Sequence, residues 1–334
     1  MAHISSPGIN TSLIVGYLAY AQKSSLYWLC IMLAVRSAFF SVLMLYGAAA
    51  LACFEQADGS TPKLVIPLQE PTKLAHNQFF LTLLPQLLER SQDEYGPCEL
   101  QFFGEPLSHE RISALIAKNR YLSMNWASTA KDREHKLRAI KEPLLKGLMG
   151  FRVMILHSDN KHALRYVKTP TQLKQFSFGL GGSWPDVDVM KANGFKVITT
   201  SSYELLFRML SAGRFDLLSR GFNEAIPEAK LHEHKNITVD PYITVVYPLP
   251  VYFFINRDNN KLAERIASTI AAMRADGSFD NIFYADPDIA KSLNDLRLEE
   301  RTKIYLCNPS LPPDVPFDRP ELWHYPINND ACRS

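Results

Sequence analysis

Two rounds of alternating strand and helix signals, separated by long apolar runs, constrain this chain more than any other feature. In the first round Leu64-Val65-Ile66 reads as a buried strand, and Asn77 to Arg90 places Phe79, Leu83, Leu87 and Leu88 at helical spacing. Glu99 to Phe103 is strand-like. Ser108 starts a helix with Ile112, Leu115 and Ile116 on one face, and Tyr121 to Trp126 gives a third strand. The apolar run Met149 to Leu156 then crosses to a second unit. There Phe176–Gly179, Lys196–Thr200 and Phe215–Leu218 read as strands. Ser183 is expected to cap a helix with Asp186 at its third position and Gly194 as its stop. Ser201 and Glu204 read as a capping box before Leu205, Leu206, Met209 and Leu210. The apolar run Val245 to Asn256 returns across the molecule. It leads to a helix over 261–275 with Leu262, Ile266, Ile270 and Met273 on one face. Such alternation predicts α/β sheets with crossover connections, and its repetition over 334 residues predicts two lobes.

The N-terminus is biased in a different way. Positions 24 to 54 are almost wholly apolar, broken by Arg36. From Met32 the text reads as a secretion signal. Arg36 supplies the positive region, Ala38 to Leu51 the apolar core, and Ala50-Leu51-Ala52 a small-x-small cleavage site. The apolar run after Arg36 is shorter than the ~20 residues of a spanning helix, which favours a cleaved signal over a retained anchor. Residues 1–31 read as an upstream extension. Cleavage near Ala52 leaves Cys53, Cys98, Cys307 and Cys332 in an exported chain, where three pairings are open. Cys307 with Cys332, clipping a Pro-rich tail, is the favoured one. Cys53 directly after a small residue also raises lipidation, against which Ala50 argues. The expected division is therefore 1–52 as extension and signal, 62–145 as the first part of lobe 1, and 146–254 as lobe 2. Residues 255–300 form the return part of lobe 1, and 301–334 a tail that wraps a lobe surface.

Lys and Arg number 36 against 34 Asp and Glu, a net charge of +2. That balance excludes the basic face of a nucleic-acid binder, and the mixed stretch Lys131–Lys146 reads as a solvated helix surface. No nucleophile elbow, zinc-protease helix motif or P-loop is present. His232 and His234 lack a third ligand at a recognisable spacing and read as a solvated loop.

Three stretches carry a family resemblance. They are Ser128-Thr129-Ala130-Lys131-Asp132-Arg133-Glu134, Leu210-Ser211-Ala212-Gly213-Arg214-Phe215-Asp216, and Asn260-Lys261-Leu262-Ala263 through Met273-Arg274-Ala275-Asp276-Gly277-Ser278-Phe279. In order and separation they resemble the extracellular solute-binding proteins for polar amino acids, over roughly residues 62 to 285. The resemblance implies a two-lobe periplasmic-binding-protein (type II) fold with two crossing hinge strands, ligand held between the lobes, and hinge closure around it.

On that resemblance Arg133 takes a ligand carboxylate, for which a planar guanidinium with two parallel N–H groups is suited. Asn125, Trp126 and Ser128 precede it at a strand end, where ligands bind in open α/β sheets. Trp126 is equally a packing residue. Ser183 is expected, with Asn125 and Ser128, to add hydrogen bonds to the ligand. It follows the loop Gly179-Leu180-Gly181-Gly182, which ends at a helix N-terminus suited to a carboxylate or phosphate but whose spacing fits no nucleotide fingerprint. Arg220 stands where amino-acid binders place an acidic residue for the ligand's ammonium. If Arg220 faces the ligand, an anion with two charged ends is expected. If Glu224 reaches in, a zwitterion is, and Arg220 pairing with Glu224 is the third arrangement. Tyr247, Tyr252 and Phe254 read as core more than as lining. The expected protein is a periplasmic, monomeric binding protein without catalytic role or cofactor. It takes up a small polar, carboxylate-bearing solute through a membrane permease, with a sensor reporting to a membrane receptor, or a degenerate binding domain, as the rivals.

Overall fold

The computed structural model describes residues 53–68 and 74–333. The readings placed on residues 1–52 lie outside them. Among the described residues no helix is long and apolar enough to cross a membrane.

Lobe 1 is built first from β1 (Lys63–Ile66), α1 (Leu74–Arg90), α2 (Gln92–Tyr95), β2 (Glu99–Phe102), α3 (His109–Ala117), β3 (Met124–Ser128), α4 (Lys131–Lys136) and β4 (Arg138–Ile140). β1 and β2 pair in parallel, and the Ser123 N–H donates to Val65 O at 2.8 Å, joining them to β3. α1 forms because its apolar residues recur at helical spacing; Phe79, Phe80, Leu83, Leu84 and Leu87 are all buried. Ser108 caps α3 through its hydroxyl, which accepts from the Arg111 N–H.

The chain crosses through 141–150, burying Leu144, Leu145 and Leu148, and enters lobe 2. This lobe holds β5 (Phe151–His157), α5 (Pro170–Leu173), β6 (Ser177–Gly181), α6 (Asp186–Ala192), β7 (Lys196–Thr200), α7 (Tyr203–Ser211), β8 (Leu217–Gly221), α8 (Ala225–Leu231), β9 (Ile237–Val239) and β10 (Ile243–Val246). β5 lies between β10 and β8, antiparallel to both, and β6 runs parallel to β8 and β7. Two caps differ from the sequence expectation. α7 is capped by Ser202 rather than Ser201, because the Ser202 hydroxyl accepts from the Leu205 N–H. α6 starts after Pro185, so Ser183 lies in an exposed turn before the helix and Asp186 becomes its first residue.

Residues 247–250 return to lobe 1 as β11 (Val251–Ile255), which lies between β3 and β4. The two crossings touch. The Tyr247 N–H donates to Gly150 O, and a Cβ at Gly150 would lie 2.0 Å from the Tyr247 carbonyl oxygen. Only glycine permits that approach. α9 (Asn260–Ala275), α10 (Ser278–Ala285) and α11 (Pro287–Leu296) cover lobe 1, with Phe279 and Phe283 of α10 edge-on to Phe79. The chain then goes back. β12 (Thr302–Tyr305) pairs in parallel with β10 at the edge of the lobe 2 sheet, a strand that the sequence reading does not contain. Disulfides join Cys53 to Cys98 and Cys307 to Cys332, the second as favoured from sequence.

Candidate functional site

In lobe 1 the candidate residues divide between the two faces of β3. Asn125 is in register with Phe254 and shares its face. Arg133, on α4, reaches back to the same side, donating from Nη1 to Ser128 O, with its guanidinium 5.7 Å from the Phe254 ring centre. Trp126 points the other way. Its indole N–H donates to Asn77 Oδ1, and its ring stacks on Phe80 with centroids 4.7 Å apart, so it packs the core. Thr129 donates its hydroxyl to Glu134, and its N–H donates to Pro250 O, which ties this turn to the second crossing.

Arg133 is half-buried, and among the described residues it makes no ion pair. Burial pulls its pKa below the ordinary arginine value, against the attraction of Glu110. Arg265, 1% exposed in lobe 1, likewise makes no ion pair among the described residues, donating to Ser91 Oγ, Cys53 Sγ and Leu88 O, whereas three other buried arginines are paired. Arg152 pairs with Asp186 at 2.9 Å, Arg274 with Glu142 at 2.9 Å, and Arg301 with Asp240 at 3.3 Å.

Lobe 2 presents a buried charge cluster at the carboxyl end of β8. Arg220, 4% exposed, donates from Nε and Nη2 to both oxygens of Glu228, each at 2.5 Å. It also pairs with Glu224 at 3.1 Å, and its guanidinium lies 4.4 Å from the Trp184 ring centre. Glu224 accepts from the Gly221 N–H at 2.7 Å and lies 3.9 Å from Arg152. Asp186 accepts from the Tyr247 hydroxyl at 2.6 Å. Burial lowers the tendency of Arg220 to stay charged, but Glu224 and Glu228 outweigh it and hold its pKa above the ordinary value. Burial and the neighbouring Glu228 push the Tyr203 phenol up, and burial with Asp186 does the same to Tyr247. The arrangement of Arg220 against Glu224 is thus the third of those the sequence left open, with Glu228 as the stronger partner.

Arg152, Asp186, Glu228 and Tyr203 are the members that sequence reasoning missed. Arg152 carried a signal: it is the charge inside the apolar run 149–156, and a buried charge requires a partner. Ser183 stays outside this cluster, in its exposed turn. His232 lies in the turn that ends α8 but is not solvated. It is buried and stacks on Phe207 at 3.8 Å, and burial depresses its pKa. Among the described residues no three His, Cys, Asp or Glu side chains gather as a metal site.

Neither protein-family models nor curated protein sequences match the chain. Solved structures do. An ancestral arginine-binding protein bound to glutamine is 16% identical, with a TM-score of 0.51 over 68% of this chain and 98% of that one. A lysine-complexed structure from Wolinella succinogenes, assigned as a binding component of an ABC transporter, is 11% identical, with a TM-score of 0.53 over 66% and 94%. At these identities the likeness is one of fold: the chain has the two-lobe α/β fold of periplasmic solute-binding proteins.

Proposed function

We propose that this chain is a non-catalytic, monomeric binding protein of an oxidising extracytoplasmic compartment that captures a small zwitterionic solute of amino-acid type for uptake through a membrane permease. Arg133 carries the reading. It is a half-buried guanidinium just past a strand end that contacts a carbonyl and an aromatic ring and, although attracted by Glu110, forms no ion pair among the described residues. A ligand carboxylate would supply the missing counter-charge through two parallel hydrogen bonds. Asn125, on the same face, and Ser128 would add polar contacts. The lobe 2 cluster argues for the other end of the ligand. It sets two guanidiniums, Arg152 and Arg220, against three carboxylates, Asp186, Glu224 and Glu228. Glu224 is the most exposed of the three, at 16%. The excess negative charge favours a cation there, so Arg220 does not call for a second anionic group. The two disulfides support an exported protein.

The test is a thermal-shift screen of the purified protein against neutral and basic amino acids, dicarboxylates and simple amines. A ligand at a hundredfold excess over its dissociation constant adds about 2.7 kcal/mol of stability and raises the melting temperature clearly. Zwitterions are expected to raise it, Arg133→Ala to abolish the rise, and Glu224→Gln to weaken it. A rise with dicarboxylates but not with zwitterions would overturn the assignment of Glu224. A rise that survives Arg133→Ala would overturn the anchor.

A further inference from the structure

We propose that residues 306–333 form a clasp over both crossings, closed by the Cys307–Cys332 disulfide and released by thiol–disulfide exchange, and that the clasp fixes the turn carrying Arg133. Its path supports this at each step. The Leu306 N–H donates to Val246 O at 2.9 Å, and Asn308 Nδ2 donates to Pro248 O at 2.8 Å, so the segment runs beside the second crossing. It is held to lobe 2 by Asn193, whose side chain both donates to Cys307 O and accepts from the Cys307 N–H. Three residues later it is held to lobe 1: the Lys131 N–H donates to Ser310 O at 3.0 Å and Lys131 Nζ to Pro309 O at 2.8 Å. Three residues of extended chain span about 10 Å, so these anchors limit how far the lobes separate on that side. The segment is a further connection between the lobes, beside the two crossings and the passage from α11 to β12.

It then returns over the first crossing. Lys141 bridges Glu134 of α4 and Asp314 of the clasp at 2.6 and 2.8 Å. Arg319 pairs with Glu142 at 3.0 Å, the His324 N–H donates to Lys146 O, and the Trp323 ring lies where a side chain at Gly147 would stand. Asn329 exchanges two hydrogen bonds with Asn308, and the disulfide closes the loop. The contacts at Lys131 and Glu134 flank Arg133 on α4. Releasing the clasp would therefore free the helix that positions the anchor as well as the lobes.

Access favours this bridge over the other. Cys332 is exposed, whereas Cys53 is 6% exposed. In the exchange, one thiolate of an external dithiol attacks Cys332 Sγ, the S–S bond breaks, and the Cys307 sulfur leaves as a thiolate that takes a proton from water. The second thiol of the reductant then attacks the mixed disulfide, freeing Cys332 and leaving as the cyclic disulfide. The dithiol supplies both electrons.

The coupling to ligand rests on the reading of Arg133 above, but the readout chosen here needs no ligand, so the two fail separately. Amide hydrogen exchange is measured on the oxidised protein, on Cys332→Ser, and on the native protein treated with dithiothreitol, with alkylation locating the free thiols. Alkylation at Cys307 and Cys332 is expected to precede that at Cys53 and Cys98. Exchange is expected to rise at least tenfold over 306–333 and over 129–134, with β6 unchanged. A rise confined to 326–333 would overturn the clasp. So would simultaneous reduction of both bridges, or loss of protection throughout Cys332→Ser.

Discussion

Arg133 and Arg220 each sit at or just past the carboxyl end of a strand, and their charges are met in opposite ways. Arg133 contacts a carbonyl oxygen and the Phe254 ring and is attracted by Glu110 without an ion pair among the described residues. Arg220 is enclosed by Glu224, Glu228 and Trp184, so its charge is spent inside the lobe. Removing one partner from a buried ion pair strands the others, typically at about 3–5 kcal/mol. Arg220→Met, which leaves Glu224 and Glu228 facing each other, is therefore expected to lower the unfolding free energy by about that amount in urea titration. A loss below about 1 kcal/mol would show that water screens the cluster. Asp276 gives a residue-scale dependence on pH. The Ser278 hydroxyl and then Arg90, at 2.6 Å, hold its carboxyl at about 2, below the usual 3.8. A depressed folded pKa contributes stability above about pH 4 that is lost as the pH falls towards 2. Asp276→Asn is expected to melt lower than the native protein at pH 6 and to converge with it as the pH approaches 2. A gap that persists unchanged across that window would rule the carboxylate out as its source.

At the scale of elements, the helices were the legible part. α1, α3 and α9 bury residues that recur at helical spacing, such as Phe79, Leu83 and Leu87, or Leu262, Ile266 and Ile270. β12 was not legible, because Thr302–Tyr305 buries only Ile304 and looks like tail. Its place is set by Arg301, which donates from Nε to Ile243 O and Thr244 Oγ1, a contact 58 and 57 residues away that no local pattern announces. The same holds for the candidate site. The turn around Arg133 is visible as a motif, but the charge state of the lobe 2 wall depends on Glu228, one helix beyond Arg220. The second crossing lies within the apolar run 245–256, but the run 149–156 that read as the first is mostly β5, a strand of the lobe 2 sheet, and the crossing precedes it at 141–150. The two crossings are fixed to each other by a glycine rather than by their apolar residues. Gly150→Ala would drive a methyl group against the Tyr247 carbonyl and part the two strands. It is expected to cost about 1–3 kcal/mol, the usual range for overpacking, read as a shift in the urea midpoint. An unchanged midpoint would mean that the crossings separate freely.

For the whole molecule, the two disulfides offer a way to tell one cooperative unit from a body with a detachable clasp. The largest apolar cluster is continuous from α1 through Leu144, Leu145 and Leu148 of the first crossing to β5 and α7. Cys53 belongs to that cluster, and its bridge to Cys98 closes a sequence separation of 45. The Cys307–Cys332 bridge closes a separation of 25 on the surface. Chain entropy alone assigns the two nearly equal values, about 4 and about 3.5 kcal/mol. Their placement predicts that the measured values diverge. If the clasp opens in a sub-global step before the core unfolds, its bridge constrains a segment that is already free when the core is lost. The double variant Cys53→Ser with Cys98→Ser is then expected to lower the global unfolding free energy by about 4 kcal/mol. Cys332→Ser is expected to change the global transition little while adding an early, shallow one seen by hydrogen exchange. Equal losses in the two variants, each in a single transition, would place the clasp inside the cooperative unit and leave no state in which the lobes are held without it.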